Sequence, residues 1–134
     1  MRLILLIALI ALAPTFSPAL AAEPIGIWLT ADKRAKIEIA PCGAAYCGTL
    51  IWVAGNDTDS HSPDVEQRGR LTLGQQILLG MHRSGSSYRG TVHNLENGRT
   101  YRGRLDILDE RRIRLSRCIL AGLICRSDVW TRAE

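Results

Sequence analysis

Short segments of alternating apolar and polar residues, separated by turn residues, recur through most of this 134-residue chain. Alternation with a period of two is typical of β-strands that bury one face, because successive side chains point to opposite faces. No long stretch has a helical period. Eight strands are predicted, at residues 25–31, 35–40, 47–54, 75–83, 87–95, 99–108, 112–119 and 124–133. Strands this short and this regularly spaced predict an all-β meander.

The first 21 residues have the pattern of a cleaved signal peptide. Arg2 precedes an apolar run over residues 3–13, and Ala19-Leu20-Ala21 fits the small-residue cleavage pattern. The run is shorter than the about 20 residues that span a bilayer, although a transmembrane anchor is the alternative interpretation. No cysteine adjoins the cleavage site, which argues against a lipoprotein. We therefore expect residues 22–134 to form one domain that is exported to the periplasm or secreted.

All four cysteines follow this leader, which favours disulfides in an oxidising compartment. Three connectivities are open, and we expect Cys42–Cys47 and Cys118–Cys125 because each pair brackets a glycine-containing turn. Each bridge closes a short loop and would stabilise the fold by about 2–2.5 kcal/mol. The spacing is a poor match to a structural zinc site, and the Cys-x-x-Cys motif of redox catalysis is absent.

The formal net charge of +4 is ordinary for a soluble surface and indicates no nucleic-acid partner. Arg111, Arg112 and Arg114 look like a basic run. They alternate with apolar residues, however, and this favours a solvated strand face.

Asn97-Gly98 is the strongest hairpin signal in the chain, since both positions of a two-residue turn need positive φ. A two-residue turn there pairs Glu96 with Arg99. The apolar side chains then collect on one face, and the opposing pairs are Tyr88–Ile107, Gly90–Leu105, Val92–Gly103 and Asn94–Tyr101. Glycine facing a larger residue suits the curved interior of a small barrel.

The first hairpin has its simplest register when Asp32-Lys33 forms the turn. Trp28 then lies opposite Ile37, and Gly26 lies opposite Ile39. This register predicts that Trp28 points into the interior.

The last hairpin gives a face of mixed chemistry. Placing Cys118 opposite Cys125 gathers large apolar and charged side chains on one face, namely Ile113, Leu115, Arg117, Arg126, Asp128, Trp130 and Arg132. We expect a β-bulge or an outward orientation to keep the charges out of the interior, where unpaired charges are costly. In the alternative, Arg117, Arg126 and Asp128 point inward and anchor a polar group of a ligand.

Gly26-Ile27-Trp28 on the first strand and Trp130-Thr131-Arg132 on the last resemble the corresponding segments of a lipocalin-type barrel. The resemblance implies that Trp28 closes the barrel floor and that Arg132 packs across it in a cation–π contact.

The chain more closely resembles a bacterial exported family of unknown function, domain family 2147. The matching segments are Gly26-Ile27-Trp28, Pro41-Cys42-Gly43, Tyr46-Cys47-Gly48, Asn94 to Tyr101, and Cys118 through Gly122 to Cys125-Arg126 with Trp130-Thr131-Arg132. This resemblance implies a single eight-stranded antiparallel up-and-down barrel of the lipocalin or calycin type over residues 22–134. It implies no established reaction.

The segment 55–74 carries the densest set of potential metal ligands: Asp57, Asp59, His61, Asp64 and Glu66. Their spacing does not reproduce a calcium-binding loop. A solvated lid over the barrel mouth is the favoured interpretation, so no metal and no cofactor are predicted.

The leading functional hypothesis is binding of a small apolar or amphipathic ligand inside the barrel, with no enzymatic activity. The expected ligand-binding residues are Trp52, Tyr88, Val92, Asn94, Tyr101 and Arg126. The alternative is a ligand-free envelope protein that binds a protein partner through an outer apolar set around Ile51 and Leu78. An enzyme ranks third, because no nucleophile, base and orienting carboxylate can be assembled from the sequence.

Overall fold

The computed structural model describes residues 10–15, 22–55, 73–95 and 97–133, and these contain eight strands. Most of the predicted signal peptide and the acidic set of segment 55–74 lie outside the described residues. The strands are β1 Gly26–Leu29, β2 Ala35–Cys42, β3 Ala45–Val53, β4 Gln76–Ser84, β5 Ser87–His93, β6 Thr100–Asp109, β7 Arg112–Ile119 and β8 Ile124–Ala133. A single 3₁₀ turn, Leu120–Gly122, joins β7 to β8.

The strands pair in chain order and antiparallel, and β8 pairs with β1 to close a barrel. The predicted all-β up-and-down barrel is confirmed. Closure leaves no unpaired sheet edge, and it divides every strand into inward and outward side chains. Among the described residues, no helix has the length and apolar character that a membrane crossing needs.

The barrel interior is filled by aliphatic and aromatic side chains over much of its length. The most completely buried of them are Trp28, Ile37, Ile39, Leu50, Leu78, Met81, Leu105 and Ile113. They come from six strands, so the core is a product of closure rather than of any one hairpin.

The first hairpin has the predicted register, with Trp28 opposite Ile37 and Gly26 opposite Ile39. Asp32 shapes its turn, since one carboxylate oxygen accepts hydrogen bonds from the Thr30 hydroxyl (2.7 Å) and the Arg34 main-chain N–H (3.0 Å). Trp28 is buried, as the register predicts.

The β5–β6 hairpin differs from its predicted register by two residues. Its connection is longer than a two-residue turn, because Asn94 donates its main-chain N–H to the Arg99 carbonyl (2.8 Å) and accepts from the Gly98 N–H (2.9 Å). The four-residue loop lets Leu95 fold inward and become buried, whereas the shorter turn would have left it on an outward strand position. The observed pairs are Tyr88–Leu105, Gly90–Gly103 and Val92–Tyr101. Because side chains alternate with a period of two, a shift of two residues leaves each side chain on the face of the sheet that was predicted for it.

A β-bulge in β3 overturns one predicted lining residue. Leu50 points inward and Ile51 is the extra residue, so Val53 rather than Trp52 returns to the inner face. Trp52 is 40% exposed, and the Lys36 ammonium lies 5.1 Å from its ring centroid. The prediction that Trp52 lines the interior is wrong.

A second bulge, in β4, overturns the outer apolar set. Gly48 and Thr49 of β3 pair with Leu78 and Gln76, so the extra residue is Ile77. Leu78 is fully buried, and Ile77 borders the cavity described below. The interpretation of Leu78 as part of an exposed patch is wrong, which weakens the surface-partner hypothesis.

The β7–β8 hairpin is regular along its whole length. Its register runs from Arg112 opposite Thr131 to Ile119 opposite Ile124 without interruption, and Cys118 lies opposite Cys125. The β-bulge, one of the two ways in which we expected the charges to stay out of the interior, is absent, whereas Arg126 and Asp128 are exposed to solvent.

Both cysteine pairs are bridged within their hairpins. Cys42–Cys47 joins β2 to β3 with 5.7 Å between Cα atoms, and Cys118–Cys125 joins β7 to β8 with 4.1 Å. The described residues contain no free cysteine.

Residues 22–25 cross one end of the barrel, which we call the closed end. The Ala22 carbonyl accepts a hydrogen bond from the Tyr88 hydroxyl of β5 (2.9 Å), and the Pro24 carbonyl accepts from the Trp28 indole N–H (2.9 Å). Arg132 lies over Trp28, with 4.3 Å from the guanidinium carbon to the ring centroid. Its guanidinium also donates to the carbonyls of Glu110 (2.7 Å) and Ile25 (3.1 Å).

The opposite end carries the β1–β2, β3–β4, β5–β6 and β7–β8 connections, and we call it the open end.

Replacing Arg132 with lysine should lower the free energy of unfolding by about 2 kcal/mol. A single ammonium cannot stack on Trp28 and donate to two carbonyls in different directions. Urea denaturation measures the loss, and Arg111→Lys, which keeps its exposed charge at the same end, is the control. Equal midpoints for Arg132→Lys and the wild type would contradict this role.

Gly90→Ala should cost about 1–3 kcal/mol through overpacking. The added Cβ would lie 2.6 Å from the Leu79 carbonyl oxygen and 2.7 Å from that of Gly80, and main-chain atoms cannot move aside cheaply. Gly103→Ala is the matched variant, since its Cβ would crowd only the Val92 side chain. The melting temperature of Gly90→Ala in thermal unfolding should therefore be lower than that of Gly103→Ala. The reverse order would refute the steric explanation.

Candidate functional site

The open half of the barrel contains a cavity of about 630 Å³ that is partly open to solvent. Charged and polar side chains, among them Arg34, His93 and Asp128, form part of its wall. The larger apolar lining residues are Ile37, Leu50, Val53, Ile77, Val92, Leu95, Leu115 and Trp130. They come from six strands and the β5–β6 loop, which the closed sheet brings to one axis. A volume of this size is within the range of small-molecule sites in proteins.

Two charged side chains of the β7–β8 hairpin border the same cavity. Because the register is unbroken, Arg117 and Asp128 lie on the inner face in line with buried Leu115 and Trp130. They form an ion pair of 3.5 Å between the guanidinium and carboxylate. Both remain partly exposed to solvent, so the pair contributes little to stability.

A smaller cavity of about 360 Å³ continues past Arg117 toward the rim. Arg126 lies directly opposite Arg117 on β8, and both border this cavity. Within residues 22–55, 73–95 and 97–133, Arg126 has no carboxylate at ion-pair distance. The combination of Arg117, Arg126 and Asp128 therefore carries a net positive charge.

Tyr101 and Asn94 supply neutral polar groups to the same small cavity. The Tyr101 hydroxyl accepts a hydrogen bond of 2.8 Å from the Asn97 side-chain amide, which holds the ring at the rim. The site thus has an apolar interior and a basic, hydroxyl-bearing mouth. An amphipathic molecule with an anionic head matches both parts.

The predicted ligand-binding residues divide into three groups. Val92, Asn94, Tyr101 and Arg126 border the two cavities. Tyr88 belongs to the closed end, where its ring packs edge-on against Tyr46 at 5.5 Å between centroids, and it does not border either cavity. Trp52 is on the outer surface.

Sequence reasoning missed part of the lining. Ile37 and Leu115 follow from strand alternation alone and could have been found. Val53 and Ile77 could not, because each reaches the interior through a bulge that the alternation does not reveal. Among the described residues, no group of three or more His, Cys, Asp and Glu could hold a metal ion.

The rim also holds Asp32 at the β1–β2 turn. The Thr30 hydroxyl, which donates to the Asp32 carboxylate, lowers the pKa of that carboxyl, and the Arg34 N–H acts in the same direction against partial burial. Asp32 and Arg34 both border the 630 Å³ cavity, so this turn adds one charge of each sign to the rim.

The closed eight-stranded antiparallel fold is that of a lipocalin-like barrel. A solved structure of protein HP1028 from Helicobacter pylori, described as belonging to the lipocalin family, superposes with a TM-score of 0.61. The likeness covers 84% of each chain at 16% identity, so it shows the fold alone.

A match to a sequence family identifies the protein more closely than the fold does. Residues 26–132 match domain family 2147, described as an uncharacterised protein conserved in bacteria, and the chain belongs to this family. No curated protein matches the chain.

Thr30→Val should raise the pKa of Asp32 toward its ordinary value by removing the hydroxyl donor. A carboxyl whose pKa is lowered in the folded state stabilises the protein above its unfolded pKa of about 3.9 and loses that contribution as the pH falls through the folded value. A carbon-detected NMR titration of the Asp32 carboxyl measures the shift. Thr131→Val is the control, and an unchanged pKa of Asp32 in Thr30→Val would refute the assignment.

Proposed function

We propose that this protein binds a small amphipathic molecule, with its apolar tail in the 630 Å³ cavity and an anionic head at the β7–β8 arginines. The carrying observation is the unbroken β7–β8 register, which aligns Arg117, Arg126 and Asp128 with the apolar wall. These charged side chains lie at the solvent-accessible end of the inner face, where they keep part of their hydration and can contact the head of a ligand.

The distribution of polarity supports a head-and-tail arrangement. The larger cavity has the larger share of apolar lining residues, whereas the smaller one is bordered by both Arg117 and Arg126 beside Tyr101. A bound carboxylate or phosphate could accept charge-assisted hydrogen bonds from the two guanidinium groups. We further propose that the protein acts as a binding protein rather than an enzyme. The two disulfides support export to the periplasm or the exterior, with the signal peptide removed.

Arg126→Gln should weaken binding of a fluorescent long-chain fatty acid about tenfold, because a hydrogen bond to a charged group contributes about 1.5–3 kcal/mol. Binding of the alcohol of the same chain length should change little. Titration of both probes into residues 22–134, followed by fluorescence, measures the two dissociation constants. Arg89→Gln, which removes the same charge from an exposed position of β5, is the control.

Asp128→Asn should strengthen binding of the fatty acid, whereas Arg126→Gln weakens it. Without its carboxylate the ion pair is lost, and Arg117 becomes available to the ligand head, so the fatty acid should bind more tightly and the alcohol should not. Failure of the wild type to take up either probe would remove the proposal. Equal weakening of both probes by Arg126→Gln would remove head recognition while leaving tail binding in place.

A further inference from the structure

The connection between β7 and β8 exposes four aliphatic side chains at the open end. Ile119, Leu120, Leu123 and Ile124 are exposed by 46%, 64%, 84% and 50%, and we call them the β7–β8 tip. No side chain of the 3₁₀ turn is buried. The tip therefore contributes no apolar burial to the barrel, and its composition requires another explanation.

The tip is held in one shape rather than left loose. Cys118–Cys125 joins the strands at its base, and Leu123 donates its N–H to the Leu120 carbonyl (3.2 Å). Leu120 and Ala121 both adopt left-handed backbone conformations, with φ of 52° and 55°. Each costs about 1–2 kcal/mol for a residue other than glycine, and asparagine would be better tolerated there. An apolar side chain is thus present where local stability favours a polar one.

Basic side chains lie one step behind the tip. Arg102 is opposite Cys118 across the β6–β7 pair, and Arg126 follows Cys125 on β8; both are exposed. Neither forms an ion pair with any residue that the structure describes. An apolar projection backed by arginines is complementary to a bilayer whose surface is anionic, where the aliphatic groups reach the acyl boundary and the guanidinium groups remain at the headgroups.

We propose that the β7–β8 tip docks this protein on an anionic lipid bilayer. A protein partner fits less well, because a stable interface buries about 800 Å² on each side, more than four partly exposed side chains can offer. A bilayer needs no matching surface, since it deforms around an inserted side chain. Docking does not require the cavity to be occupied.

The same orientation presents the ligand site to the membrane. Ile119 and Ile124 belong to the tip and also border the 360 Å³ cavity. If the proposed ligand binding holds, an amphipathic molecule would pass between bilayer and cavity with little exposure to water. The lipid bilayer is then both the docking surface and the source or destination of the ligand.

The test is sedimentation of residues 22–134 with vesicles of 70% phosphatidylcholine and 30% phosphatidylglycerol. The variant Leu120→Asn/Leu123→Ser should reduce the partition coefficient tenfold or more through lost apolar burial. It should remain folded, because asparagine suits the left-handed position and both side chains are exposed; circular dichroism checks this. Ile25→Ser, at an exposed aliphatic position of the closed end, should bind vesicles like the wild type.

Charge is tested separately. Arg102→Gln should lower partitioning to the anionic vesicles about fivefold, as expected for one arginine near the surface, and Arg89→Gln should not. The wild type should bind vesicles of pure phosphatidylcholine more weakly than it binds the anionic vesicles. On pure phosphatidylcholine, Arg102→Gln and Arg89→Gln should bind as the wild type does.

Three results would overturn the proposal: no sedimentation of the wild type with anionic vesicles, equal sedimentation of the tip variant, or equal loss in Ile25→Ser. A change from dimer to monomer in the tip variant by analytical ultracentrifugation, without vesicle binding by the wild type, would assign the tip to a second copy instead. Fatty-acid uptake without vesicles should be retained in the tip variant, so failure of docking and failure of ligand binding are distinguishable.

Discussion

Pairing of β8 with β1 is the constraint on which the rest of this structure depends. Three residue pairs join β1 to β8. Arg132 stabilises this pairing, since it stacks on Trp28 and donates hydrogen bonds to the carbonyls of Ile25 and Glu110. Once the sheet is closed, every inward position of eight strands faces one axis. Both the buried core and the cavity are therefore formed by side chains from strands all around the barrel.

The interior is divided along that axis. The closed end is crossed by residues 22–25 and filled around Trp28, Tyr88 and Met81, all of them nearly inaccessible. The open half keeps an apolar wall but leaves space in front of it. The packed core thus lies at one end and the cavity at the other, which is how a domain of this size can keep a cavity without losing its core.

The β7–β8 hairpin connects three properties that would otherwise look unrelated. The Cys118–Cys125 bridge holds opposed positions in register, the register carries Arg117, Arg126 and Asp128 inward, and the same bridge presents the aliphatic tip outward. The charges and the tip lie within one hairpin, on either side of one disulfide. Ligand selection and membrane contact, as proposed here, would thus be mechanically linked.

Strand alternation, turn residues and cysteine placement in the sequence were enough to determine eight antiparallel strands, the register of the first hairpin and the opposition of Cys118 and Cys125. These are local properties, since each depends on residues within one hairpin. Only the tertiary structure decided that Val53 replaces Trp52 in the interior, that Leu78 is buried and that the β5–β6 loop has four residues. A bulge or a longer loop changes which side chains face inward, and it is selected by the fit of a strand to both neighbours and to the closed core. That selection involves residues far apart in the chain, so no single hairpin sequence contains it.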